Sequence, residues 1–563
     1  MMPAIANSTR LATWPTELDL PRLKGLYGSP AWIVSEAQLI KNLNAFVRFT
    51  GAPERVLFPV KTNPSLSVLR ILAQQGAGAD CAHQTEIDLA LFAGIRPEHI
   101  SFNSPVQDTD LCIRLLQSGS TVVMDDPEAI HSVAERMSHA PFSGKLVLRV
   151  NPAASIGYAH KKDNQDLMSH GHQSSKFGIP AEDVLPFVKT IGLPVSGLHV
   201  HVGTQMDNID SFLEGMRALN TLADELRGCG HEIRDINLGG GLGISFNEQD
   251  CFPGIDTWTD ALSQLKSPHY TYFAEPGHAL VGNAVALLCE VMTIKPSRGK
   301  RWAITNVGTD QLAKVTLLHW PHRILQPDGT PLPAGNDAVA GPLCFAGDTL
   351  LDKVDVGALT PGSPLLVTEA GAYTYSLSNR FNGRLAPAWI LLKKNGETCL
   401  STEHEGRYDN PQLSGFRWEE VRKDGAMVAL EADRVADLSS PYLKVLANED
   451  TFDYLYFGRE GNNTYRIEVA TQSRAGFLSM PLAIRVFGDA TIVALLDYCG
   501  HNKKEIPVWG RKLNLDCFEQ VSTNEPIRFL VSISEVTGTS AKTAIARFST
   551  ACGKCSGSFV IKL

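Results

Sequence analysis

Eight short β-type runs recur between residues 55 and 280, each followed by a stretch with helical spacing, and this alternation limits the possible folds most. The runs are VLFPVK, ADCA, ISF, TVVM, KLVLRV, SGLHVHV, DINLGG and YFAEPG. Amphipathic segments such as PSLSVLRILAQQG and QTEIDLALFAGI separate them. Strands separated by helices pair in parallel. Eight units in this span suit a (β/α)8 barrel, with a doubly wound open sheet as the other solution. From about 290 to 400 the pattern changes to strands with Pro and Gly turns, including RWAITNVG, PLLVTEAGAYTY and PAWILLKK, which reads as a β-rich domain.

At 563 residues the chain exceeds one ordinary core, so several domains are expected. The expected boundaries are 1–30 joining the β domain, 31–285 for the barrel and 286–410 for the β domain. A linker at 411–439 and an α+β domain at 440–563 complete the chain. The polar stretch STEHEGRYDNPQLSG opens the linker, and a long helix at about 481–499 lies within the last domain.

A barrel presents its reacting groups at the C-terminal ends of its strands and binds phosphate after the seventh and eighth. That rule selects Lys61 on the first run, Asp80 on the second, His199 and His201 on the sixth, and Glu275 on the eighth. Gly239, Gly240, Gly241 and Gly243 follow the seventh run, where glycine lets backbone N–H groups approach an anion. A phosphate site, a lysine ending an apolar strand and a carboxylate point to pyridoxal phosphate. The lysine forms the imine with the cofactor's aldehyde, and Glu275 keeps the pyridine nitrogen protonated. Lys61 alone would read as a lysine reaching for water from a strand end.

Charge and cysteine usage exclude other classes. A net charge of −9 gives no reason to expect nucleic acid or anionic membrane as a partner. The first residues lack a signal-peptide pattern, and no run reaches the ~18 apolar residues that span a bilayer. Eleven scattered cysteines suggest reduced thiols and a cytoplasmic setting. Cys552 and Cys555 form one CxxC with no second pair, and a third ligand to join His199 and His201 is not evident, so no metal is expected.

VLFPVKTNP, ADCAHQTE, RVNP, SSKFG, GLHVHVGTQ, INLGGGLG, AEPG, GPLCFAGD and GAYTYS follow one another in chain order. In this the sequence resembles the diaminopimelate and ornithine decarboxylases, built on an alanine-racemase-like barrel, over roughly residues 25–400. The resemblance implies that Lys61 bonds the cofactor and His201 stacks on its ring. Thr204, Gly240 and Gly241 would hold the phosphate beneath Tyr373, and Glu275 would pair with the ring nitrogen. It further implies a homodimer with shared sites, in which Cys344 enters the partner's site to protonate the carbanion and Asp348 lies nearby. A carboxylate at Glu275 favours decarboxylation; racemising relatives place arginine there.

Three departures bear on the substrate. His278 stands where the family carries arginine after Glu-Pro-Gly, losing a permanently charged fork for phosphate or substrate. Phe345 replaces the glutamate that recognises the far amino group of diaminopimelate. LLHWPHRILQP lacks the Arg-Pro-x-x-Tyr pattern that grips its far carboxylate, with Arg323 as the shifted substitute. Inefficient use of diaminopimelate is therefore expected. The last domain loosely resembles a hotdog fold, in which Asp489 or Asp497 would face an acyl thioester. The chain would then serve a specialised metabolite pathway with a free or carrier-bound substrate. The competing reading makes the C-terminal domain a carrier-binding or thioester module and the barrel secondary.

Overall fold

A computed structural model of the chain describes residues 11–138, 142–152, 175–247, 250–405, 427–429, 435, 451–460, 463–472, 478, 480–501, 509–517, 521–537, 543–552 and 555–562. Two compact units divide the chain, Met1–Glu405 and Gly406–Leu563.

In the first unit all eight expected runs become parallel strands, in order Leu57–Pro59, Gly78–Cys81, Ile100–Asn103, Thr121–Met124, Lys145–Asn151, Val195–His199, Asp235–Asn237 and Thr271–Phe273. A parallel bridge between Val56 and Ala274 joins the last strand to the first. The Leu57 N–H donates to Ala274 O at 2.8 Å, and the Ala274 N–H to Arg55 O at 3.1 Å. The sheet therefore curls into a barrel; an open sheet would leave those edges unpaired. The helix Glu36–Thr50 shows how the outer layer is specified. Ser35 caps its start by accepting from the Gln38 N–H, and Gly51, left-handed at φ 80°, ends it. Its buried Phe46 and Phe49 pack edge-on against Trp258, with ring centroids 5.4 and 4.9 Å away. Truncating a buried aromatic such as Trp258 to alanine costs about 3–5 kcal/mol.

The β-rich sheet runs Thr349–Val354, Ala334–Ala340, Lys300–Thr305, Val285–Ser297, Ala31–Ser35, Ala388–Leu392 and Thr398–Thr402. Strand Ala31–Ser35 pairs antiparallel with Val285–Ser297 and parallel with Ala388–Leu392. The sheet thus takes in residues that the barrel was expected to begin with. All five residues of this strand are buried, so it needs cover on both faces. On one side Leu20 and Leu23 of the helix Leu20–Tyr27 pack with Ile33, Leu288 and Ile390.

The second unit holds one antiparallel sheet, ordered Met427–Ala429, Thr451–Glu460, Thr464–Gln472, Ile527–Thr537, Thr543–Thr550, Cys555–Lys562 and Trp509–Cys517. Its first strand falls within the expected linker, which otherwise lies almost wholly outside the described residues. The helix Met480–Tyr498 supplies Val486, Phe487, Ala490, Val493 and Ala494 to the core of this sheet. Phe487 stacks on Phe548 with centroids 4.5 Å apart. No described helix of either unit is long and apolar enough to cross a membrane.

Candidate active site

Lys61 sits on a 3-10 turn, Val60–Thr62, directly after the first barrel strand. The turn is fastened from outside the barrel: Asn63 Nδ2 donates to Gly371 O at 2.9 Å, and the Tyr373 N–H donates to Thr62 O at 2.9 Å. Gly371 is required at that seam, because a Cβ there would lie 1.9 Å from Val281 O. The TNP turn and the GAYTYS segment thus form one rigid corner that aims Lys61 into a cavity of about 360 Å³.

Lys61 Nζ donates to Asp80 Oδ2 at 2.6 Å, and the carboxylate is fully buried. Burial works to lower the pKa of the ammonium, but Asp80, Tyr373 and Glu275 outweigh it and the net shift is upward. Burial and then Glu275 push the Asp80 carboxyl up, against the pull of Lys61. Glu275 Oε2 lies 3.2 Å from His199 Nε2, and Asn237 Nδ2 donates to Oε1 at 2.8 Å. Burial would raise this carboxyl, yet His199, Lys61 and Asn237 hold it well below the usual carboxylate range. Glu275 therefore remains ionised in a dry setting.

His199 and His201 do not act as a pair. His199 ends its strand, fully buried against Glu275, whereas His201 lies beyond the strand and its Nδ1 accepts from the Gly240 N–H at 3.1 Å. Among the described residues no three His, Cys, Asp or Glu side chains stand together as a metal site would require. Thr204, Gly241, His278 and Tyr373 join Lys61, His201 and Glu275 in the cavity wall. Gly240 lies behind it: a Cβ there would come 2.1 Å from Glu275 O. Gly241, at φ 123°, would place one 2.3 Å from Gly203 O.

His278 is buried, with its ring centroid 4.9 Å from that of Tyr373. Burial, Lys314 and His322 push its pKa well below the ordinary histidine value. The other expected substrate residues do not line this chain's own cavity. Arg323 donates to Thr368 Oγ1 at 3.2 Å and lies 3.5 Å from Glu369 Oε1, outside the cavity wall. Within this chain Arg323 thus faces a buried carboxylate and does not line the cavity where the substrate role was expected. Asp348 is also buried; it accepts from the Thr309 N–H at 2.7 Å and the Leu343 N–H at 2.9 Å, so within this chain it braces the loop. Cys344 and Phe345 are exposed on that loop, and the Cys344 N–H donates to Asn382 Oδ1 at 2.8 Å.

Several wall residues carried no assigned role in the sequence. Arg149, the first residue of RVNP, is buried, donates to Asn103 Oδ1 at 3.2 Å and lies over the Phe177 ring at 4.3 Å. The quoted motif was the available signal for it. Lys314 and Trp320 had none, because nothing in AKVTLLHWP sets them apart from an ordinary helix and turn.

The residues present fit pyridoxal phosphate: an amine enters the cavity, an ionised carboxylate is held in its wall, and the glycine turn approaches so closely that a Cβ would not fit. Residues 36–282 match the model of the pyridoxal-dependent decarboxylase family, pyridoxal binding domain. The chain is 31% identical to the diaminopimelate decarboxylase of Pseudomonas aeruginosa over 384 residues, covering 66% of this chain and 90% of that protein. This chain belongs to the pyridoxal-phosphate-dependent decarboxylases. The diaminopimelate decarboxylase of Zymomonas mobilis is 27% identical over 397 residues, 68% of this chain and 92% of that protein. The crystal structure of the Helicobacter pylori diaminopimelate decarboxylase complexed with L-lysine shares the fold, with a TM-score of 0.63 at 24% identity over 70% of this chain and 98% of that one. Pyridoxal phosphate is thus the cofactor of this enzyme, an amino-acid decarboxylase of the diaminopimelate, ornithine and lysine type.

Proposed function

We propose that this decarboxylase acts on an amino acid other than diaminopimelate, with Lys61 bonded to the cofactor and Glu275 paired with the ring nitrogen. The observation carrying the site assignment is that one cavity receives the Lys61 amine and the ionised Glu275 carboxylate. The cofactor, when bound, supplies the electron sink for the carbon that loses carbon dioxide. Asp80 balances the charge of Lys61 and sets when its amine is free to react. His201, held by the Gly240 N–H, would lie against the cofactor ring. Thr204, Gly241 and Tyr373, in the same wall, would take the phosphate.

The departure from diaminopimelate is supported by the wall itself. Among the described residues Glu275 is the only carboxylate lining the cavity, and His199 and Asn237 already engage it. A second substrate ammonium would be desolvated there without a counter-charge. Release of carbon dioxide should be screened over free L- and D-amino acids, including diaminopimelate. Turnover of diaminopimelate as fast as the best substrate would overturn this reading.

The exposed Cys344 loop supports a shared site in a homodimer, with Cys344 giving a proton to the carbon that carbon dioxide leaves. Mixing Lys61→Ala with Cys344→Ala chains should then restore part of the activity.

The C-terminal unit supports a hotdog-like module, because one long helix packs on an antiparallel sheet. Tyr454 Oη donates to Asp489 at 3.0 Å and Tyr465 Oη to Asp497 at 2.8 Å, which brings both acids of that helix into its buried face. A thioester role would place the enzyme in a specialised pathway with a carrier-bound substrate. Full-length chain and its Asp489→Asn form, assayed for acyl-thioester hydrolysis, would separate this role from a purely structural one.

A further inference from the structure

Lys314 is 1% exposed, and its Nζ has no hydrogen-bond partner among the described residues. It stands on the short helix Ala313–Leu317 and lines the same cavity as Lys61. The rings of Phe246 and Trp320 flank it, with centroids 4.9 and 5.8 Å from Nζ. Such contacts attract the ammonium less strongly than its removal from water disfavours it. No carboxylate among the described residues offsets the difference: burial alone moves the pKa of Lys314, down to about 7. His278, on the same wall, and His322 each leave a buried Nε2 without a hydrogen-bond partner among the described residues.

A cationic centre left uncompensated by the protein is compensated by a ligand that brings negative charge. Arg323 does not compete for that ligand, since it is tied to Thr368 and Glu369. Leu318, Trp320 and Leu377 line the same cavity, offering apolar surface for methylene groups. We infer that Lys314 and His278 form the far end of the substrate site and bind an anionic distal group, so the preferred substrate is an α-amino acid with a side-chain acid and no side-chain ammonium. This rests on the decarboxylase reading above and names its substrate class. A distal ammonium would meet Lys314 as a like charge, whereas an acid also returns Lys314 to its charged, hydrogen-bonded form.

The test compares wild-type holoenzyme with Lys314→Met and Lys314→Arg. Carbon dioxide release is measured from 2-amino dicarboxylic acids of increasing length, with lysine and ornithine alongside. Glutarate and adipate serve as unreactive probes in calorimetric titrations. The expected result is at least a tenfold preference in kcat/KM for an acidic substrate over lysine. Lys314→Met should lose that preference chiefly through KM and weaken glutarate binding at least tenfold, while Lys314→Arg restores part of both. Preference for lysine or ornithine in the wild type, or unchanged glutarate binding in Lys314→Met, would overturn the assignment. A loss of affinity for pyridoxal phosphate but not for pyridoxal would also overturn it, placing Lys314 at the cofactor phosphate. If no amino acid releases carbon dioxide the decarboxylase reading fails, and the glutarate titration still decides the role of Lys314.

Discussion

His199 Nε2 stands 3.2 Å from Glu275 Oε2, and both side chains are buried. With Asn237 on the other oxygen, this contact keeps Glu275 ionised against the cost of desolvation. Removing the imidazole while keeping a ring, His199→Phe, should raise the Glu275 pKa. The acidic limb of the kcat–pH profile should then move to higher pH by at least one unit, with kcat above the limb reduced less. A profile that falls uniformly without moving would assign His199 to packing alone.

Lys61 and Asp80 make the second prediction. The amine must be neutral to attack the cofactor's aldehyde, and Asp80 favours its charged form. Asp80→Asn should lower the Lys61 pKa, so cofactor-free enzyme captures added pyridoxal phosphate faster at a fixed pH near 8. The rise of the imine absorbance in stopped-flow mixing measures this. Lys61→Ala should show no such band and retain the wild-type circular dichroism.

Gly240 fixes the distance between the seventh and eighth barrel strands. Its missing Cβ leaves room for Glu275 O, and added volume against backbone cannot be relieved by a rotamer change. Gly240→Ala should destabilise the enzyme by about 1–3 kcal/mol in urea unfolding. It should also weaken cofactor retention on dialysis, because His201 loses its aligned N–H donor.

Lys314 predicts a stability that depends on pH. Burial lowers its folded-state pKa to about 7, below its ordinary value of 10.5. Below pH 7 both folded and unfolded chains carry the charge, and the full burial penalty is present. Between about 7 and 10.5 the unfolded chain binds the extra proton, so this group's contribution to stability rises with pH. Lys314→Met should therefore be more stable than wild type at pH 6–7, by a few kcal/mol. The gap should narrow as the pH approaches 10, which thermal unfolding across that range would measure.

Much of the fold was legible because periodicity reports directly which face a segment buries. The run VLFPVK became a buried strand ending at a turn, and its lysine entered the cavity, since a barrel places strand ends there. The helix expected at 481–499 is Met480–Tyr498 for the same reason. Ala31–Ser35 was less legible: five buried residues in a row suit a barrel strand or the centre of another sheet equally, and only its neighbours decide.

The order of strands and helices, the lysine at the first strand end, the glycine turn after the seventh and the carboxylate after the eighth were all readable before folding. These follow from local spacing, which the chain carries wherever it folds. Only folding brought Arg323 beside Glu369 and left Lys314 buried with no hydrogen-bond partner among the described residues. Desolvation and pairing depend on groups brought together from distant segments, and no local pattern records which cation will find a partner.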